Sequence, residues 1–346
     1  IDPVGTGFSR PAGEAEGKDF WGIEEDAGSL AQFIRRFLSR HQRWNSPRYI
    51  LGESYGTTRS AGLARHLQRA YIDLNGSVLV SAVLDFNTIM FGDGSIIPFI
   101  VNLPAFAVAA AYHDALPGGV PDDLDAFMAE VESWAVGEYA AAIMAGSAID
   151  PDRRSAVIEQ MHLYTGLDHD FLDKANLRVS APQFEKELMR DKGLVVGRLD
   201  ARFTGPTGDL LETRPSHDPQ STAISSAYTS AFNAYVRDEL GYDGDREYVP
   251  SGKARPWNWK RDDGGRWSMV AVPNVAPDLA EALTRNPNLE VLLINGIYDL
   301  ATPYFAAVWT MDNLNLPEDL RDNIQRADFA AGHMMYVEQS LLPQWR

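Results

Sequence analysis

The chain has no cysteine among its 346 residues. A disulfide framework is therefore excluded, and thiol usage gives no argument about redox compartment. Basic side chains are also scarce: 31 Lys and Arg against 48 Asp and Glu leave a formal charge of −17. That balance argues against nucleic acid or an anionic membrane surface as a partner. No run of 18 apolar residues exists, so no membrane-spanning helix is expected. The apolar stretch around 105–111 is interrupted by Pro104 and followed by His113-Asp114, which suits a buried helix. There is no H-E-x-x-H and no EF-hand spacing, and Asp262-Asp263-Gly264-Gly265 reads as a turn. Gly5-Thr6-Gly7 lacks the third glycine of a dinucleotide loop. Neither a metal nor a cofactor is expected.

What is present begins at Gly52-Glu53-Ser54-Tyr55-Gly56, a G-x-S-x-G motif. It follows the apolar run Tyr49-Ile50-Leu51 and precedes a helical pattern from Arg59 to Arg69. A serine on a tight strand-to-helix turn has its hydroxyl lifted clear of the backbone, and the flanking glycines are expected to avoid a clash there. Farther on, Glu290-Val291-Leu292-Leu293-Ile294 reads as a buried parallel strand leading to Asp299. A shorter run, Ala327-Asp328-Phe329-Ala330, leads to Gly332-His333-Met334. Ser54, Asp299, His333 is the chain order of the α/β-hydrolase triad. In that chemistry histidine takes the serine proton and aspartate fixes the imidazole tautomer. The other six histidines, His41, His66, His113, His162, His169 and His217, fall in helical or polar loop contexts. The N–H of Tyr55 is the expected oxyanion donor.

Four blocks make the sequence resemble the serine carboxypeptidases, and its middle region is similar to the bacterial branch of that family. They are Asp2-Pro3-Val4-Gly5-Thr6-Gly7-Phe8-Ser9, Gly52 to Gly56, Asn295-Gly296 through Asp299, and Gly332-His333-Met334. The resemblance implies an α/β-hydrolase fold with a mostly parallel sheet and an inserted helical cap. It implies release of C-terminal amino acids from peptides through an acyl-enzyme, at acidic pH. The partner is then a peptide with a free C-terminus, and the location periplasmic or secreted. Glu53 is the telling residue. The family places an acid there in a network that grips the substrate carboxylate, and two crowded carboxyl groups raise one pKa so that a proton is shared. Met334 would lie near the pocket of the departing residue. The absence of cysteine departs from the disulfide-bonded eukaryotic members. The family's W-N-G-G-P-G oxyanion segment finds no counterpart in residues 1–53. Only a short segment near Pro3 and the Tyr49 strand are expected before Ser54, so the first strands and that loop are expected to belong to a preceding segment. An esterase or acyltransferase on the same fold, or an inactive binding protein, are the alternatives.

Three regions follow from the patterning: a hydrolase core over 1–95 with the nucleophile, a helical cap over 96–262, and a second core part over 263–346 with Asp299 and His333. In the first, residues 21–44 carry a helical apolar stripe and Gly76–Phe86 reads as a strand. In the second, strand-like runs vanish. Helices are expected from Leu124 to Gly146, after Asp150-Pro151, after Ser180-Ala181-Pro182, and from Ile224 to Tyr235. Gly197 to Arg202 carries alternating charge and reads as a salt-bridged turn. Trp257, Trp259 and Trp267 read as anchors of a loop onto the core.

Overall fold

The structure, a computed structural model, describes residues 1–92, 94–250, 254–261 and 272–345. The Asp262–Gly265 turn and Trp267 lie outside the described residues. In chain order the elements are α1 (Ile23–Arg40), β1 (Tyr49–Glu53), α2 (Tyr55–Arg69), β2 (Gly76–Val80), α3 (Ile97–Tyr112), α4 (Leu124–Trp134), α5 (Ala140–Ala145), α6 (Pro151–Thr165), α7 (His169–Lys174), α8 (Ala181–Glu187), β3 (Leu194–Val196), β4 (Thr204–Pro206), α9 (Pro219–Asp238), α10 (Ala276–Arg285), β5 (Glu290–Gly296), α11 (Tyr304–Asp312) and β6 (Ile324–Phe329).

The main sheet has the order β1-β2-β5-β6, and β3 pairs with β4 as a separate antiparallel hairpin. β1 and β2 run parallel in register from Tyr49 opposite Gly76 to Glu53 opposite Val80. The segment near Pro3 forms no strand; Gly7 makes only an isolated bridge to Val249. The expected strand over 76–86 ends at Val80, because Ser81 takes a left-handed backbone (φ 50°) that turns the chain out of the sheet. β1 lies at the sheet edge, with Tyr49 and Leu51 exposed.

The chain divides into two compact units. The first comprises Ile1–Val80, Ile224–Leu293 and Leu314–Gln325. There α2 packs against α1 and α10, burying Ile23, Ala27, Leu63, Leu67, Leu279 and Leu283. Polar side chains reinforce the contact. Arg65 donates to Glu24 at 2.6 Å and Gln68 donates to the Ala282 carbonyl at 2.9 Å.

The second unit comprises Ser81–Ala223, Ile294–Asn313 and Arg326–Arg346. Its core is built on α3, buried at every position from Val101 to Ala111, with Pro104 inside the helix. Phe106 and Phe184 stack at its centre with ring centroids 4.4 Å apart. The expected helix starts are found: α4 begins at Leu124 with Asp123 as its cap, Asp150 caps α6, and Ser180 with Gln183 forms a capping box on α8. The expected single helix from Leu124 to Gly146 instead runs through a π-helical turn at Ala135–Tyr139 between α4 and α5. The hairpin β3-β4 was not expected, since three-residue strands are too short to show a period. Among the described residues no helix is long and apolar enough to cross a membrane.

Candidate active site

Ser54 stands between β1 and α2 with φ 55° and ψ −124°. A non-glycine residue is held there only when its surroundings impose it. The turn is held by the Ser54 N–H donating to the Val80 carbonyl (3.0 Å) and by the Thr57 N–H donating to the Ser54 carbonyl (2.9 Å). A Cβ at Gly52 would lie 2.1 Å from the Gly56 carbonyl oxygen, so the strand can pass the helix start only as glycine. Gly56 differs from the expectation: a Cβ there meets nothing within 4 Å. Its smallness is not required by packing.

Glu53, the last residue of β1, and Tyr55, the first of α2, flank the serine and are half-buried. The Tyr55 N–H lies in the first turn of α2, where backbone donors have no partner within the helix. The Tyr55 ring is clamped. Trp257 and Trp259 meet it edge-on at 5.2 and 6.0 Å, and the Arg59 guanidinium lies 5.2 Å from its centroid. Arg59 is fixed by Asp26, donating to it at 2.6 Å. Burial, with the nearby Asp26 charge, pushes the Tyr55 phenol above its ordinary value. Trp257 and Trp259 thus pack as loop anchors, and their anchor point is the residue after Ser54.

In the second unit Asp299 and His333 are buried together, the Nδ1–H donating to Asp299 Oδ2 at 2.7 Å. Asp299 follows β5 and His333 follows β6. Asp299 accepts from the N–H groups of Ala301 (2.8 Å) and Thr302 (3.0 Å) at Oδ1, and from the Thr302 hydroxyl (2.8 Å) at Oδ2. With donors around it, Asp299 acts as an acceptor, so the shared hydrogen belongs to His333 Nδ1 and Nε2 is the basic nitrogen. The Thr302 oxygen, 3.1 Å from Nδ1, takes a second share of that N–H. Ser81 donates its hydroxyl to the His333 carbonyl at 2.7 Å. Asn295 at the end of β5 donates to Asp328 of β6 at 2.9 Å. Met334 is half-buried beside the imidazole-bearing residue and opens a short 3-10 turn, Met335–Val337.

Thr302 and Ser81 have no sequence signature, because a lone hydroxyl in a loop is an ordinary surface residue until the fold buries it. The segment from Gly197 to Arg202 is the salt-bridged turn expected from its charges, with Arg202 forked onto Asp200. It also bonds the loops that carry Asp299 and His333, which the charge pattern did not reveal. Among the described residues no group of acidic and histidine side chains is arranged to hold a metal ion.

A strand–serine–helix elbow, with an aspartate and histidine following later strands of a largely parallel sheet, defines a serine hydrolase of the α/β-hydrolase fold. A sequence profile of the serine carboxypeptidases matches residues 2–339, and the chain belongs to that family. No curated protein sequence matches it. Among solved structures it is similar to Kex1Δp, a prohormone-processing carboxypeptidase from Saccharomyces cerevisiae. The TM-score is 0.54 at 15% identity, and the match covers 99% of this chain and 71% of that one. At that identity the likeness speaks for the fold.

Proposed function

We propose that this serine carboxypeptidase works through Ser54, His333 and Asp299. Ser54 Oγ attacks the carbonyl of the last peptide bond as its proton passes to His333 Nε2. Asp299 holds the imidazole in the required tautomer and stabilises the imidazolium. The Tyr55 N–H stabilises the oxyanion. The imidazolium then protonates the departing amino acid, leaving an acyl-enzyme, and His333 next activates water to release it. Glu53 carries a proton and donates it in a hydrogen bond to the substrate carboxylate, which ties the activity to acidic pH. Met334 contributes to the pocket of the departing residue, and segment 96–262 acts as the cap that shapes the substrate site.

The observation that carries this reading is the buried Asp299–His333 pair, hydrogen-bonded at 2.7 Å and following β5 and β6 as Ser54 follows β1. Residues past the carboxyl ends of parallel strands are where open α/β sheets build their sites. The test compares a blocked dipeptide with its C-terminal amide over pH 4–8, about the range in which a carboxyl of raised pKa loses its proton. Preferential cleavage of the free acid, strongest at low pH and lost in Ser54→Ala, is expected. Equal or better turnover of the amide or of simple esters would favour an esterase.

A further inference from the structure

We propose that the loop of the β3-β4 hairpin, residues 197–203, is a strap that positions the acid–base pair, with Arg202 as its lock. The inference rests on the reading of His333 and Asp299 as catalytic, and it adds a positioning residue to that site.

The strap bonds both loops. On the histidine side, the His333 N–H donates to the Leu199 carbonyl at 2.6 Å. On the aspartate side, the Leu300 N–H donates to the Arg198 carbonyl (3.0 Å) and the Ala201 N–H to the Tyr298 carbonyl (2.9 Å). The residue before His333 must be glycine for this approach: a Cβ on Gly332 would lie 2.5 Å from the Leu199 carbonyl oxygen. The strap's own conformation is fixed at its base, where the Gly197 N–H donates to the Phe203 carbonyl at 2.9 Å. Asp218 steadies it from outside by accepting from the N–H groups of Arg198 (2.7 Å) and Leu199 (3.1 Å).

Arg202 joins the three parts through one guanidinium. Its Nε and Nη2 fork onto the carboxylate of the buried Asp200, at 3.0 and 2.8 Å. Its Nη1 donates to the Ala330 carbonyl at 2.9 Å, three residues before His333. Its Cζ lies over the ring of Tyr298, the residue before Asp299, 5.2 Å from the centroid. A planar, multidentate group that also stacks on an aromatic ring is something a lysine does not reproduce. A carboxylate–imidazole pair loses much of its catalytic value when misplaced by about 1 Å, so fixing both loops to one strap acts on turnover more than on substrate binding.

The experiment uses the full chain and compares it with Arg202→Met and Arg202→Lys. Three readouts are taken: kcat and KM on a blocked dipeptide, the rate of fluorophosphonate labelling of Ser54, and the downfield proton resonance of His333 Nδ1–H in protein labelled with ¹⁵N-histidine. Both variants are expected to lower kcat and labelling by at least about tenfold, to leave KM within about twofold, and to shift or broaden the Nδ1–H resonance. Folded Arg202→Met with parental kcat and resonance overturns the strap, as does full rescue by lysine. Should Arg202→Met fail to fold, Arg202→Lys alone decides by the same two readouts. Failure of both to fold makes Arg202 a structural residue and overturns the positioning role. His333→Gln in the parent separates the two claims. If that variant keeps full activity the catalytic reading has failed, whereas if it is inactive and the Arg202 variants are parental only the strap has failed.

Discussion

The two glycines of the G-x-S-x-G motif look alike in sequence and are not equivalent in space. Gly52→Ala places a methyl 2.1 Å from a backbone oxygen, so β1 and α2 must part at the elbow. We expect a loss of about 1–3 kcal/mol in stability, read by thermal unfolding, and loss of fluorophosphonate labelling at Ser54. Gly56→Ala adds its methyl in open space within a helix, where alanine is the better residue by about 1 kcal/mol. That variant is expected to melt no lower than the parent. Asp299→Asn tests the tautomer argument. An amide can present its NH₂ to Nδ1, which moves the imidazole hydrogen to Nε2, and a loss of about 10⁴ in kcat is expected with the fold retained. Activity within tenfold of the parent would remove Asp299 from its role.

At the scale of elements, the α1–α2–α10 contact depends on a partly buried ionic cluster. Glu24 on α1 faces Arg65 and His66 of α2 at 2.6 and 3.0 Å, while Arg261 spans Glu24 (3.2 Å) and Asp278 of α10 (2.6 Å). Burial opposes ionisation of Glu24, but the His66 hydrogen bond and the Arg65 and Arg261 charges outweigh it and bring its pKa down to about 2. Because the folded value lies below the unfolded one of 4.5, the stabilisation is complete above pH 4.5 and is lost as pH falls toward 2. Solvent reaches part of the cluster, so about 1–2 kcal/mol is the expected size after screening. Glu24→Gln should lower the melting temperature at pH 6 and leave it nearly unchanged at pH 2. An equal loss at both values would rule out the ionic explanation.

Across the whole chain, Glu185 works in the opposite sense. Burial, aided by the Asp218 charge and opposed by Arg198, raises its pKa from 4.5 to about 7. Between those values the folded chain keeps a proton that the unfolded chain releases, so stability falls as pH rises from 4.5 to 7. The full effect is about 3 kcal/mol. Glu24 and Glu185 together favour the folded state most near pH 4.5, in the acidic range proposed for activity. Melting temperatures from pH 3 to 8 check this. Glu185→Gln should reduce the decline above pH 4.5, and a parent whose stability rises from pH 5 to 7 would contradict the assignment.

Legible in the linear chain were the elbow at Ser54, the chain order of the proposed nucleophile, acid and base, and the helix starts at Asp123, Asp150 and Ser180. Each is a local property: a turn that needs glycine, a strand that ends in a functional residue, a cap that satisfies its own helix. Packing in three dimensions sets what surrounds those residues. Trp257 reaches Tyr55 from 202 positions away, and the strap reaches His333 from 134. Thr302, Ser81 and Arg202 are ordinary polar residues in the linear chain. They acquire their roles only when burial removes water as a competing partner, and which groups then meet depends on packing that no local pattern encodes.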